Sequence, residues 1–411
     1  MRARRSFTIS SPPFSAMYTI TVSNLNDSGT GSLRQAILEA NAYSGTDEIQ
    51  IVFDAPLAGQ ELVLSSGLPT LSKACTVEGN GVILPLYGFT ISAPVTFNNI
   101  TYPQLILSGA EASLVADSLN LTLQEAIRIQ DSSADINVSG ITAAADDAYV
   151  GLRGNLYESS LHDVSSQFSG GYKMVGRVTI AANQTVTLEE GVQIGRTGNE
   201  QYLYISGTLE ARNEVDADAL VSNQWWGNTY VQNGGKLLLE NANVNLNGWG
   251  SRVYVENGGM LEMQGGSLLA SGGVGINAGG TATLTEVTVK SDVTSSGSLT
   301  AEKALFESSV TNNGTGVYTD CTFNSYLQVN GVDNLEVSGL SFAGAETYRL
   351  NGFSGSTEEL LASFEANEAN TYMGISGTLN TTTLVNVSSK LSEGYKMVGR
   401  VTIAANQTVT L

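Results

Sequence analysis

Cysteine and histidine are almost missing from this chain. Cys75 and Cys321 are the only cysteines and His162 the only histidine among 411 residues. No CxxC pair or Cys/His cluster exists, which excludes a structural zinc site, and one histidine excludes multi-histidine metal chemistry. Charged residues make up only 14% of the chain and prolines number 7, which is unlike a long helical protein rich in Glu, Lys and Arg. Basic residues are the minority, 19 against 39 acidic, for a formal net charge of −20. Such a chain repels phosphate backbones, so nucleic acid is excluded as a partner. No run approaches ~20 consecutive apolar residues, so no segment reads as a transmembrane helix.

What the chain does contain is 45 glycines and regularly spaced Val, Ile and Leu, the composition of short strands joined by Gly/Asn/Ser turns. Disordered chains lack that regular apolar content. The opening, MRARRSFTISSPPFSAM, is basic but has no apolar stretch of the kind a signal peptide needs. Residues 1–16 therefore read as a misassigned or incomplete leader. An N-terminal cap is expected over 17–60 and coils over 61–411. Ser32 and Gln35 form an S-x-x-Q capping signal, and Leu33, Ala36, Ile37 and Ala40 follow at helical spacing, which predicts a helix over about 32–43. Ile49, Ile51 and Phe53 then alternate with polar neighbours as a half-buried strand does. One amphipathic helix ahead of many strands suits a plug over the first open coil of a stacked structure.

The run NDSGTGSLRQAILEANAYSGTDEIQIVF, followed by LVLSSGLPTLSKACTVEGNG, resembles the N-terminal cap of bacterial parallel β-helix surface proteins. The likeness is close over roughly residues 18–84 and elsewhere extends only to the style of repeat. It implies a right-handed β-helix in a bacterial extracytoplasmic setting, and it carries no activity with it, since the family is defined by architecture.

Internal periodicity supports the same fold independently. Gly235, Gly259, Gly280, Gly297, Gly314 and Gly331 are spaced by 24, 21, 17, 17 and 17 residues. Nine positions after each stand Val244, Leu268, Val289, Phe306, Phe323 and Leu340. Four positions after stand Leu239, Met263, Leu284, Ala301, Tyr318 and Leu335. Inward sites recurring every ~17–24 residues are the mark of a solenoid coil, which buries its apolar side chains only by stacking on neighbours. The expectation is an all-β, right-handed, single-stranded parallel β-helix with a short N-terminal capping helix. At ~4.8 Å per coil, residues 50–411 would make about 18 coils and a rod near 85 Å long. Cys75 and Cys321 would then lie beyond disulfide reach.

A larger repeat lies over the coils. GYKMVGRVTIAANQTVTL at 171–188 recurs unchanged at 394–411, a period of 223, and the likeness extends upstream so that 149–188 matches 372–411. This indicates tandem duplication of a multi-coil block. The second copy stops where the first continues with Glu189-Glu190-Gly191, so the chain reads as a fragment whose anchor or export module lies beyond it.

Aromatic residues supply the best binding candidates. Trp225, Trp226 and Trp249 fall within 25 residues, and Tyr202, Tyr230 and Tyr254 each precede an anchor-type glycine by five. Strand alternation would turn these tyrosines outward as a ladder able to stack on sugar rings. The plainer reading is ladder stabilisation, since cross-strand pairs contribute ~0.2–1 kcal/mol each. Carboxylates come second. Asp146-Asp147 stand beside Tyr149, and Glu214, Asp216 and Asp218 would share one strand face on which Ca²⁺ could sit, with Arg212 near as a base. Solvated turns explain these acids more simply, and the second copy carries Ala369 and Asn370 in place of Asp146 and Asp147. Gly272-Gly273-Val274-Gly275-Ile276-Asn277 approximates a calcium turn but has Asn where Asp is required, and reads as a plain turn. His162 lacks the context of a serine hydrolase and reads as a surface residue.

No cofactor is required by this sequence. The expected function is an extracellular structural or adhesive stalk on a bacterial surface, contacting carbohydrate or cell-surface molecules. The alternative is a polysaccharide lyase or glycoside hydrolase acting on acidic polysaccharide. Three or more carboxylates, or carboxylates with Arg, converging in one groove would favour the enzyme; an outward aromatic ladder would favour the binder.

Overall fold

The computed structural model describes residues 16–84, 88–133, 136–157, 159–198, 201–222, 227–365 and 370–411. The fold is a right-handed parallel β-solenoid with a short N-terminal capping helix. Two compact units form, one from the described residues of 1–126 and 136–145, the other from those of 127–135 and 146–411.

In the first unit the helix Leu33–Ala42 begins where Ser32 Oγ accepts the Gln35 N–H at 3.3 Å. Only this half of the capping signal is made, because the Ser32 N–H donates instead to the Gly29 carbonyl. The helix buries Leu33, Ala36, Ile37 and Ala40 against the strands Met17–Val22 and Glu48–Phe53. Arg34 fastens it outward, pairing with Asp27 at 2.7 Å and donating to the Gly67 carbonyl at 2.8 Å. Behind the cap the strands are all parallel. Ile20, Ile51, Val77, Phe97 and Ala116 follow one another in register, all buried.

The second unit repeats a coil of three short strands, such as Val253–Val255, Met260–Gln264 and Ser267–Ala270. Successive first strands pair Val253 with Val274, Val293, Val310 and Leu327, giving coils of 21, 19, 17 and 17 residues. The expected inward column is present: Val244, Leu268, Val289, Phe306 and Phe323 are register partners in turn and all buried. Its next member is Phe342, however, and not Leu340; likewise Tyr318 pairs with Val337, and Leu335 falls opposite Gly316. The cause is turn length. Five residues separate Val329 from Leu335, whereas three separate Asn312 from Gly316, its partner one coil earlier. Two extra residues in that turn displace every later position by two.

The duplicated block shows how far burial depends on neighbours. Met174 is 1% exposed, while Met397, the same residue in the identical sequence of the second copy, is 77% exposed. The difference lies in stacking: the strand carrying Met174 pairs onward with Ile194–Arg196 and Leu203–Ile205. Cys75 and Cys321 are both free and buried.

Candidate functional site

One outward column of the second unit runs, in register, Thr179, Tyr204, Tyr230, Tyr254, Gly275 and Thr294. At each of the three tyrosine positions the residues on either side are buried, so the strand pleat turns the phenol ring outward. The rings stack. Tyr204 and Tyr230 lie 5.0 Å apart with planes at 9°, and Tyr230 and Tyr254 lie 5.2 Å apart at 13°.

Tyr202, the expected first rung, is therefore displaced by Tyr204. Tyr202 sits beside the stack, 6.4 Å from both Tyr204 and Tyr230 with rings tilted at 53–56°. Turn length is again the reason. Two residues, Ser206 and Gly207, join Ile205 to Thr208, whereas four join Val231 to Lys236, so counting back from the glycine lands two positions early. Trp249 is 58% exposed, in the turn before Arg252. Trp225 and Trp226 lie outside the described residues.

Stacking changes what this ladder can do. A ring within a stack presents its edge to solvent and gives both faces to its neighbours. Tyr230 is enclosed in this way, and its hydroxyl accepts from Asn228 Nδ2 at 2.9 Å. The outer face of Tyr204 is covered by the Arg177 guanidinium, 4.1 Å from the ring centre. At the other end, Tyr254 faces a glycine. A Cβ at position 275 would lie only 3.1 Å from Tyr254 Cδ1, so the ring leans over a space that any other residue would fill. A cleft of about 320 Å³ opens there, at the small end of the range for ligand pockets. It is lined by Tyr254 and residues 272–276, together with Arg252, Asn277, Asp292 and Thr294. Arg252 Nη1 donates to the Tyr254 hydroxyl at 3.1 Å. Asp292 Oδ1 accepts from the N–H and hydroxyl of Ser309 at 3.1 and 2.7 Å, which fixes the carboxylate at the rim. An aromatic face flanked by a guanidinium and a carboxylate can take the C–H face of a pyranose while its hydroxyls are hydrogen-bonded.

Sequence reasoning read 272–277 as a plain turn and missed Tyr204, Arg252 and Asp292. Its signal was the column itself, a glycine occurring where the preceding coils carry tyrosine.

The carboxylate candidates do not converge. Arg212 pairs with Glu240 and Ala217 with Ala242, so four residues bulge out opposite one. Glu214, Val215 and Asp216 are consequently all exposed, and the alternation expected to align Glu214, Asp216 and Asp218 is broken. Arg212 is exposed and 4.0 Å from Glu210. Asp146 and Asp147 are exposed in a turn, with Asp147 at φ 51°. Among the described residues no group of three or more His, Cys, Asp or Glu side chains could hold a metal ion. His162 is exposed and pairs with Glu189 at 2.6 Å. No helix among the described residues is long and apolar enough to cross a membrane.

Comparison with protein-family models, with curated proteins and with solved structures finds no match to this chain.

Proposed function

We propose that this chain is a structural or adhesive stalk of the bacterial cell exterior that binds carbohydrate at the Tyr254 cleft. The observation that carries this reading is the end of the tyrosine stack, where Tyr254 borders a cleft over Gly275 with the Arg252 guanidinium 6.0 Å from its ring centre and Asp292 also lining the cleft. The extracellular setting is supported by the solenoid architecture and by the resemblance of residues 18–84 to surface-protein caps. Duplication of a whole block of coils also suits a stalk, since added coils lengthen a rod, whereas catalysis needs one unique groove.

A glycan array probed with the wild-type chain and with Tyr254→Ala tests the reading. Binding to a defined glycan that falls at least about tenfold in the variant, with circular dichroism unchanged, is the expected result; each tenfold corresponds to ~1.4 kcal/mol. No binding to any glycan, or equal binding by both proteins, overturns it.

One observation favours the enzyme alternative: Asp131, Arg153 and Arg177 line a single cleft at the other end of the stack. Among the described residues only one carboxylate lines it, which supports binding over acid–base chemistry by paired carboxylates. Release of unsaturated uronate from polygalacturonate would decide for the lyase.

A further inference from the structure

The cleft beyond Tyr204 is larger than the one at Tyr254, about 720 Å³. Its charge runs against that of the protein. Arg153 and Arg177 stand on adjacent coils, and neither makes an ion pair or hydrogen bond with another described residue. In a chain with twice as many acidic as basic residues, two neighbouring guanidiniums without a carboxylate partner are conspicuous. Both are exposed, and each lies against the neighbouring coil. Position 176 is glycine, and the Arg153 stem and Nε lie 3.5–3.6 Å from where a Cβ would stand there, so the side chain lies flat across the neighbouring coil. Arg177 is stacked on Tyr204. The one acid among the described residues of the cleft, Asp131, accepts the Asn155 N–H at Oδ1, 2.8 Å. Gln130, Asn155 and Thr179 add amide and hydroxyl groups around the arginines.

We infer that the Arg153–Arg177 cleft is an anion subsite, and that the carbohydrate bound along this face is an acidic polysaccharide bearing carboxylate or sulfate groups. The inference rests on the carbohydrate reading and adds the ligand's charge and extent. Guanidinium forks match the planar oxygens of a carboxylate and those of a sulfate in two-point contacts, and Arg is favoured over Lys for that geometry. Four register steps separate Thr179 from Gly275, about 19 Å at the spacing of stacked coils. One ligand that occupies both clefts is therefore an oligosaccharide or longer. The duplicated block provides an internal contrast. It retains Gly399 and Arg400 at the positions of Gly176 and Arg177 but has Ser376 in place of Arg153, so the arginine pair belongs to the first copy alone.

Titration calorimetry of the full chain against polygalacturonate and its methyl ester, and against dextran sulfate and dextran, tests this. The variants are Arg153→Ser, the residue natural to the second copy, and Arg177→Gln, which removes the guanidinium but keeps a polar side chain. Binding of one charged polymer at least tenfold above its uncharged counterpart is expected, and which pair responds identifies carboxylate or sulfate as the anion. Each arginine variant should lose about tenfold of that binding, as for a hydrogen bond to a charged group, and should leave the uncharged polymer unaffected. Equal binding of charged and uncharged forms, or arginine variants that bind like wild type, overturns the subsite. Tyr254→Ala separates the two readings. If it alone weakens binding, the carbohydrate site stands and the anion subsite falls; if only the arginine variants do so, the anion cleft stands and the Tyr254 site falls. A wild-type chain that binds none of the four removes the anion subsite.

Discussion

Tyr254 and Gly275 are register partners on adjacent coils, and the absent side chain of the second leaves a cleft beside the ring of the first. The substitution Gly275→Tyr should therefore continue the stack by one rung and close the cleft. The new Cβ starts 3.1 Å from Tyr254 Cδ1, so the ring must tilt by a few tenths of an ångström, and the added stacking offsets part of that cost. Glycan binding is expected to fall more than tenfold while thermal unfolding stays cooperative. Undiminished binding by a folded Gly275→Tyr chain would place the ligand elsewhere.

The core column makes a stability prediction. Phe306 and Phe323 stack at 4.9 Å, Phe323 and Phe342 at 5.3 Å, and Tyr318 meets Phe306 and Phe323 edge-on. Truncating the middle ring removes contacts to both neighbouring coils, and strands held in register above and below cannot collapse into the gap. Phe323→Ala should cost ~3–5 kcal/mol, and Phe323→Leu substantially less. Urea unfolding followed by circular dichroism measures both. A loss below ~1 kcal/mol for the alanine variant would mean that the column does not carry the coil.

These two regions differ in how much of them could be read from the sequence. The inward column was legible because burial forces an apolar residue at each recurrence, from Val244 to Phe323, and a solenoid repeats that demand in every coil. Register failed wherever a turn changed length without changing its residue types: at Ser206-Gly207, which misassigned Tyr202 for Tyr204, and after Val329, which misassigned Leu340 for Phe342. A strand's side-chain period is two, so an error of two keeps the inside-out pattern intact and leaves no trace in it. The cleft was harder still to see, since it consists of something missing. A glycine at 275 reads as a turn residue until Tyr254 is known to lie beside it.

Metal removal provides a further check on the acidic residues. The bulge opposite Glu240–Ala242 sends Glu214 and Asp216 into solvent, and Asp146 and Asp147 occupy an exposed turn. Exposed acids without a shared geometry bind Ca²⁺ too weakly to couple to folding. Melting temperature should be the same, within about 1 °C, in millimolar Ca²⁺ and in chelator. A calcium-dependent rise, abolished by Asp216→Asn with Asp218→Asn, would restore the calcium reading.

Alkali should unfold this protein through its buried thiols and phenols. Burial pushes the Cys75 thiol up to about 12 and that of Cys321 to about 11, from an ordinary value of 9.0. Burial likewise holds the phenols of Tyr102, Tyr318 and Tyr348 well above their usual 10.0. For each group the folded state keeps the proton that the unfolded chain releases. Stability from these groups is therefore complete below pH 9 and falls as pH rises from there toward the folded-state values. At pH 8 both thiols should react with a disulfide reagent far more slowly than in urea, since burial removes both thiolate and access. Between pH 9 and 11 urea midpoints should decline, with ionisation of the buried Tyr102, Tyr318 and Tyr348 appearing together with loss of β-structure. Cysteines that titrate freely in the folded chain at pH 8, or midpoints that hold constant to pH 11, would contradict the burial on which this depends.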